Sequence, residues 1–357
     1  MTQATGLVAI DGSHGEGGGQ IVRTAVALAS MTGRPLRVER IRAGRPHPGL
    51  AAQHLTAVRA AAAICGARLE GDELGSMELE FEPSGPPRPG DYSFDVAEAR
   101  AGGSAGSVTL LLQTLLVPLS LALGASHLTL RGGTHITRAP SVDYVRDVWL
   151  SALRPMGFAA SLDLIRVGWY PVGQGEVRVA IGGGVHPGPV EACDRGSLLR
   201  ITGTALTSHL PPRVGIRMRE CANAALGAVG ARGEIIVRDV EAACPGAGLF
   251  LLAEYEHSRA GSAAIGRRGW PAEAVADEAV HELVAFHRSG ACIDAHLGDQ
   301  LLVPLSFASG RSSLHLARAT RHLRTNAWVI ERFGVARVDV EGSESGPASV
   351  RIEPSAP

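Results

Sequence analysis

The hexapeptide LLVPLS occurs at residues 115–120 and again at 301–306. Chance can match six apolar letters in a leucine-rich chain. Here the register continues: Gly124 and Gly310 follow at one offset, then Leu128 and Leu314. A shared offset held over this distance marks an internal repeat. Around the first copy the pattern reads as a helix over 107–123, a strand over 127–131 and a helix over 142–156. Val142, Val145, Trp149 and Leu153 share one side of that last helix. Around the second copy the same plan covers 295–308, 313–317 and 323–333. A third instance opens the chain. It has a strand at 7–10, a helix with Ile21, Ala25 and Leu28 on one face that Gly33 ends, and a strand at 36–41. A second helix there is opened by Pro48 and closed by Gly66. Antiparallel strands are added at 76–82 and 175–181. The expectation is an α/β (α+β) body of three repeated helix–strand–helix units.

The last unit starts late. After the Gly/Pro-rich stretch IGGGVHPGP comes a segment with its own strands (LLRITGTA, EIIVRDV, GLFLLAEYEH) and a helix near Pro212. This reads as a small inserted α/β domain over 188–276, within a large domain formed by 1–187 and 277–357. A helix over 271–288 leads back. The C-terminal EGSESGPASVRIEPSAP reads as a weak strand and a frayed end.

With 357 residues, 45% of them apolar and 19% charged, the chain can bury a sizeable core. No stretch resembles a signal peptide, and the most apolar run, 109–124, is interrupted by Gln113 and Pro118. A soluble, cytoplasmic protein with no membrane partner is expected. The five cysteines are scattered, which argues against a structural zinc site or a disulfide framework. A net charge of −1 means any polyanion must be met by a local patch.

All 34 basic residues are arginine. The chain therefore has no Walker-A lysine, no Schiff-base lysine and no lysyl-nucleotide chemistry. Arginine stays protonated and is a poor nucleophile. Covalent chemistry on a phosphate would fall first to histidine.

Four segments can carry chemistry. In GSHGEGGGQ (12–20) bare backbone N–H groups at a helix start make an anion site. A carboxylate there, Glu16, would repel phosphate unless Mg²⁺ or Mn²⁺ bridges them. Taken alone, the same loop can instead be a tight turn with Glu16 exposed. In RIRAGRPHPGLAAQHL (40–55), Arg42, Arg45, Gln53 and His54 cluster near a helix start, with Arg23 in the preceding helix. The set suits a terminal phosphate, or is a solvated connection. DAHLGDQ (294–300) opens a helix and puts Asp299 and Gln300 in its first turns, which is also simply good helix-start composition. RATRHLRTN (318–326) places His322 at a strand-to-helix junction, where the helix dipole disfavours imidazolium. GGSAG (102–106) matches a nucleophile-elbow pattern, but AEARA precedes it where an apolar strand is required.

Taken together, DGSHGEGGGQIVR, IRAGRPHPGLAAQHLTAV, GSVTLLLQTLLVPL, HLGDQLLVP and RHLRTNAWVIERFG resemble, in order and over residues 10–334, the RNA 3′-terminal phosphate cyclases. The resemblance implies three two-helix, four-stranded units related to enolpyruvyl transferase architecture, with a small α/β domain inserted before the third. It implies ATP-dependent conversion of an RNA 3′-phosphate to a 2′,3′-cyclic phosphate, with RNA as partner. His322 would carry the activated nucleotide. Gln113, Pro140 and the run His296, Leu297, Gly298, Asp299 and Gln300 would line the ATP site. Glu16 would face the metal, and Arg23, Arg42, Arg45, Gln53 and His54 would hold the RNA phosphate. A homodimer is the assembly considered. Gly298 stands where the family commonly has alanine, and Arg321 where a smaller or neutral residue is usual. Two other readings are a non-catalytic cyclase-like scaffold, against which His322 speaks, and enolpyruvyl-type transfer, which would want lysines.

Overall fold

A computed structural model describes residues 6–99 and 104–355. Its first unit runs β1 (Val8–Asp11), α1 (Gly19–Thr32), β2 (Leu36–Glu39), α2 (Ala52–Cys65), β3 (Arg68–Glu70) and β4 (Leu79–Glu82). The sheet order is β1-β2-β4-β3, with β1 and β2 parallel and the other pairings antiparallel. Gly33 and Gly66 close α1 and α2 in the left-handed conformation, at φ 68° and 64°. Pro48 does not open α2. The Gly49 and Leu50 N–H groups bond to the carbonyls of Ile41 and Ser76, so the chain stays non-helical until Ala52.

The second unit repeats the plan: β5 (Asp91–Asp95), α3 (Val108–Leu121), β6 (Ser126–Gly132), a second helix, β7 (Ala160–Arg166) and β8 (Gly175–Ile181), ordered β5-β6-β8-β7. The second helix is not continuous: α4 (Val142–Tyr144) and α5 (Leu150–Leu153) are joined by a π-helical turn, Val145–Trp149. Its face of Val142, Val145, Trp149 and Leu153 is buried as the spacing requires. Gly102 and Gly103 of the elbow-like pattern lie outside the described residues.

The third unit begins with the two-residue β9 (Glu191–Ala192) and is then interrupted. The interruption forms a fourth sheet, β10 (Leu198–Ser208), β11 (Gly233–Asp239), β12 (Gly246–Tyr255) and β13 (Arg259–Ile265), ordered β11-β10-β12-β13. Helices α6 (Arg213–Gly227) and α7 (Ala272–Ser289) pack on it. β12 is apolar without alternation because both its faces are covered. Leu249 and Leu251 meet Met218, Leu226 and Val280, whereas Phe250 and Leu252 join the core of the repeated units. The third unit then resumes with α8 (Ala295–Leu305), β14 (Ser312–Leu316), α9 (Arg321–Phe333), β15 (Ala336–Gly342) and β16 (Ala348–Pro354), ordered β9-β14-β16-β15. β16 is not a weak terminal strand. It lies between β14 and β15, with Val350 and Ile352 fully buried.

The two LLVPLS copies lie in α3 and α8, each with its proline inside the helix. Helices of all three units pack against one another, α1 touching α2, α3 and α9, and α8 touching α3 and α9. Their apolar faces, including Ile21, Leu28, Leu55, Leu116, Leu302 and Ile330, form one core. The polar residues at their N-termini are thereby drawn together. Among the described residues no helix is long and apolar enough to cross a membrane.

Candidate active site

The glycine loop between β1 and α1 lies on α9. Glu16 N–H donates to Thr325 Oγ1 at 3.1 Å, and the His14 ring stacks on Trp328 with centroids 3.9 Å apart. This brings Glu16 to His322: Oε2 of Glu16 is 3.8 Å from Nδ1 of His322. The other Glu16 oxygen is ion-paired with Arg45, whose Nη2 also donates to the Glu16 carbonyl at 3.0 Å. Oε2 is buried and has no hydrogen-bond partner.

His322 is the second residue of α9, whose first turn Thr320 caps by accepting the Leu323 N–H at 3.0 Å. The ring is half-exposed. Partial burial, and then the cations of Arg23, His296 and Arg45, hold its pKa below the usual histidine value. The ring is thus kept neutral at neutral pH, with a lone pair available.

Helix α2 supplies His54. Its Nδ1 accepts the Ala51 N–H at 3.2 Å, which puts the ring proton on Nε2. Burial, together with Arg23 and Arg42, pushes its pKa well down, so it is a neutral donor. A Cβ placed on Gly19 would sit 1.9 Å from that Nε2, so α1 can begin here only with glycine. Neither α1 nor α2 has a side-chain cap, leaving their first N–H groups for a ligand. Gln53 Oε1 accepts the Ser107 N–H at 3.4 Å and ties α2 to the start of α3.

The three arginines differ. Arg45 is held by Glu16. Arg42, lowered in pKa by burial, donates to the Gly49 carbonyl at 2.7 Å. Arg23 makes no hydrogen bond or ion pair among the described residues, yet burial takes its guanidinium down to about 10, with Asp299 as the opposing influence. A desolvated cation without a partner is a place for an anion.

Helix α8 is capped by Asp294, whose Oδ1 accepts the N–H groups of His296 and Leu297 and the hydroxyl of Tyr144. Asp299, in the second turn, accepts from Gln20 Nε2 at 3.2 Å and is pushed by burial up to about 6. His296 is pushed up to about 9, first by its 2.7 Å hydrogen bond to Glu282. Leu297 is buried in the core, and a Cβ on Gly298 would point at the Leu316 methyls at 3.0 Å. These two offer a ligand their backbone only. Gln300 Oε1 and Gln113 Nε2 are both buried and unpaired. Pro140 lies beside Gln113's helix, its carbonyl accepting the Thr109 hydroxyl at 2.8 Å. Arg321 points to Glu344 at 3.0 Å and not toward Glu16.

Sequence reasoning did not assign Gln20, Thr24, Thr325 or Asn326, whose hydrogen bonds tie the helix starts to one another, although three of them lie inside the quoted motifs and Thr24 directly follows one. Nor did it find Asp294 with Tyr144, or Glu282 behind His296. An Asx/Thr N-cap pattern points to Asp294; nothing local points to the others.

A family profile described as RNA 3′-terminal phosphate cyclase matches residues 14–340. The chain is 54% identical over 347 residues to the RNA 3′-terminal phosphate cyclase of Methylococcus capsulatus, spanning 97% of this chain and 96% of that one. It is 48% identical over 338 residues to the protein so named in Trichormus variabilis (95% and 97% covered). To that of Methanopyrus kandleri it is 42% identical over 356 residues (98% and 99% covered). With the repeated units, the helix-start cluster and these matches in agreement, the chain belongs to the RNA 3′-terminal phosphate cyclase family.

Proposed function

We propose that this chain converts an RNA 3′-phosphate to a 2′,3′-cyclic phosphate at the expense of ATP, through adenylate carried on His322. As a member of its family the chain is an enzyme of the ligase class, forming a phosphoric ester bond. The observation that supports the histidine route is the neutral, half-exposed His322 set 3.8 Å from Glu16, with the unpaired cation of Arg23 close by.

On this reading Nδ1 of His322 faces Glu16 and Nε2 attacks the α-phosphorus of ATP. The P–N bond forms as the bond to the β-phosphate oxygen breaks, and pyrophosphate leaves with that electron pair. An oxygen of the RNA 3′-phosphate, held by Arg23, Arg42, Arg45, Gln53 and His54, then displaces the imidazole from phosphorus. The 2′-hydroxyl attacks the activated 3′-phosphorus, loses its proton to solvent and expels AMP. Proximity of the 2′-oxygen supplies most of that last step. Gln113, Pro140 and the His296–Gln300 run line the nucleotide, with the open amide groups of Gln113 and Gln300 available to it. Mg²⁺ or Mn²⁺ fits beside Glu16: Oε2 is unpartnered, and such ions take most of their ligands from phosphate and water. Among the described residues no group of three or more His, Cys, Asp or Glu side chains forms a separate cage. Bound there, the cation would neutralise charge on the phosphates. With ATP and RNA as substrates, the cytoplasm is the place we assign. Residues 188–276 are proposed as an inserted domain; its sheet and α6 lie within these bounds, whereas β9 at their start pairs with β14 of the third unit and α7 runs beyond them to Ser289.

The test is to incubate the protein with α-labelled ATP and a 3′-phosphorylated oligonucleotide. Acid-labile label on the protein and a phosphatase-resistant oligonucleotide are expected. A scaffold protein would give neither.

The depressed pKa of His322 also sets a pH profile. Protonation removes the lone pair, and an ordinary histidine is half protonated near pH ~6.5. Labelling is therefore expected to hold its rate as pH falls through that value and to decline only below it. A midpoint at or above the ordinary value would contradict the environment described.

A further inference from the structure

The turn of α9 after His322 carries two buried polar side chains that the mechanism does not use. Thr325 Oγ1 accepts the Glu16 N–H at 3.1 Å and donates to the Arg321 carbonyl at 2.7 Å. Asn326 Oδ1 accepts the Thr24 hydroxyl at 2.7 Å, while its Nδ2 donates to the Asp299 carbonyl at 3.2 Å. Both residues are at most 3% exposed. Burial alone would be served as well by apolar side chains. A fully paired polar pair instead specifies one arrangement of the elements it joins. Here it joins three: the glycine loop, α1 and the first turns of α8.

The contact with the loop is intimate. A Cβ on Gly15 would lie 2.5 Å from Thr325 Oγ1, and Gly15 has φ 57°. So the loop backbone rests on the threonine hydroxyl, and Glu16 follows directly. His322 stands three residues before Thr325 on the same helix. The separation of Glu16 from His322 is thus set through Thr325, and that of His322 from the α8 nucleotide segment through Asn326.

We propose that Thr325 and Asn326 are positioning residues for adenylyl transfer, which register the His322 nucleophile against Glu16 and against the α8 start. This rests on the reading of His322 as nucleophile. Neither side chain touches the reacting atoms. Each acts by holding the elements that do.

The test uses the full chain carrying Thr325→Val, Thr325→Ser or Asn326→Leu. Three quantities are read: equilibrium ATP affinity, urea unfolding, and the single-turnover rate of protein labelling by α-labelled ATP. Thr325→Val and Asn326→Leu are expected to hold ATP within about threefold of wild type and to slow labelling by ~10–100-fold, the scale of a misplaced reacting group. Thr325→Ser, which keeps the hydroxyl, is expected to restore the rate. Should Asn326→Leu not fold, the Val and Ser pair at 325 decides. Folded Thr325→Val labelling at the wild-type rate overturns the proposal. So does a Thr325→Ser rate no better than Val, or a loss of ATP affinity that accounts for the slower labelling. If wild type itself takes up no label, the histidine reading falls and takes this proposal with it. If wild type labels and Thr325→Val labels equally, this proposal falls alone.

Discussion

Replacing His322 with asparagine is expected to abolish protein labelling by α-labelled ATP and to lower cyclisation by ~10⁴-fold or more, as removal of a covalent nucleophile does. Loss of this size requires that nothing nearby can substitute. The chain has no lysine. His54 is neutral, but it is 4% exposed and its Nδ1 is engaged by the Ala51 N–H. His296 holds its proton up to about 9 and has no free lone pair at neutral pH. His14 lies flat against Trp328. Cys65 and Cys292 are buried, and burial raises both thiol pKa values. ATP affinity is expected to change little, because the lost bond forms only during the reaction. The measurement is acid-quenched label per protein beside an equilibrium ATP titration. Residual label above a few per cent of wild type would place the nucleotide on another side chain.

The repeated architecture was legible because its strongest signal is periodic. The LLVPLS register placed Pro118 and Pro304 in the C-terminal parts of α3 and α8, and the flanking helices and strands followed. What escaped were elements whose existence depends on a partner. β3 has three residues and β9 two, too few to show alternation. β16, bracketed by Ser, Gly and Pro, was legible as a weak strand, but its interior place was not, since that depends on β14 and β15 flanking it. Pro48 resembles a helix opener, but tertiary bonds to Ile41 and Ser76 claim the backbone after it.

The site divides in the same way. Glu16, His54 and His322 could be singled out as candidates because each sits at or just before a helix start, a place with its own electrostatics. The cluster that surrounds them could not be read from spacing. Glu16 and Thr325 are 309 positions apart, and Thr24 and Asn326 are 302 apart. Only the packing of α1 on α9 makes them neighbours. The inequality among the arginines is likewise tertiary, since the burial of Arg23 and the pairing of Arg45 with Glu16 depend on the same helix contacts.

Substitution of Gly19 by alanine provides the sharpest probe of that packing. The new methyl would lie 1.9 Å from His54 Nε2 and 2.4 Å from Cδ2. At Gly18 a methyl meets the far end of the Glu16 side chain, which can swing aside. The His54 ring cannot, being buried and tied to Ala51. Either the start of α1 or the ring must move, and both belong to the cluster proposed to hold the RNA phosphate. Overpacking of this kind costs ~1–3 kcal/mol. Displacing a phosphate-holding donor by an ångström costs about 10²-fold in rate. Gly19→Ala is therefore expected to lower the urea midpoint and, on the proposed role of His54 at the RNA phosphate, to reduce cyclisation more than it reduces labelling by ATP. Combining it with His54→Ala separates the two effects. The smaller side chain vacates the space, so the double variant is expected to recover much of the stability lost in Gly19→Ala while cyclisation stays low, a coupling that a double-mutant cycle reads directly. If stability does not recover, the collision is not with His54. If cyclisation recovers with it, the imidazole has no part in holding the RNA end.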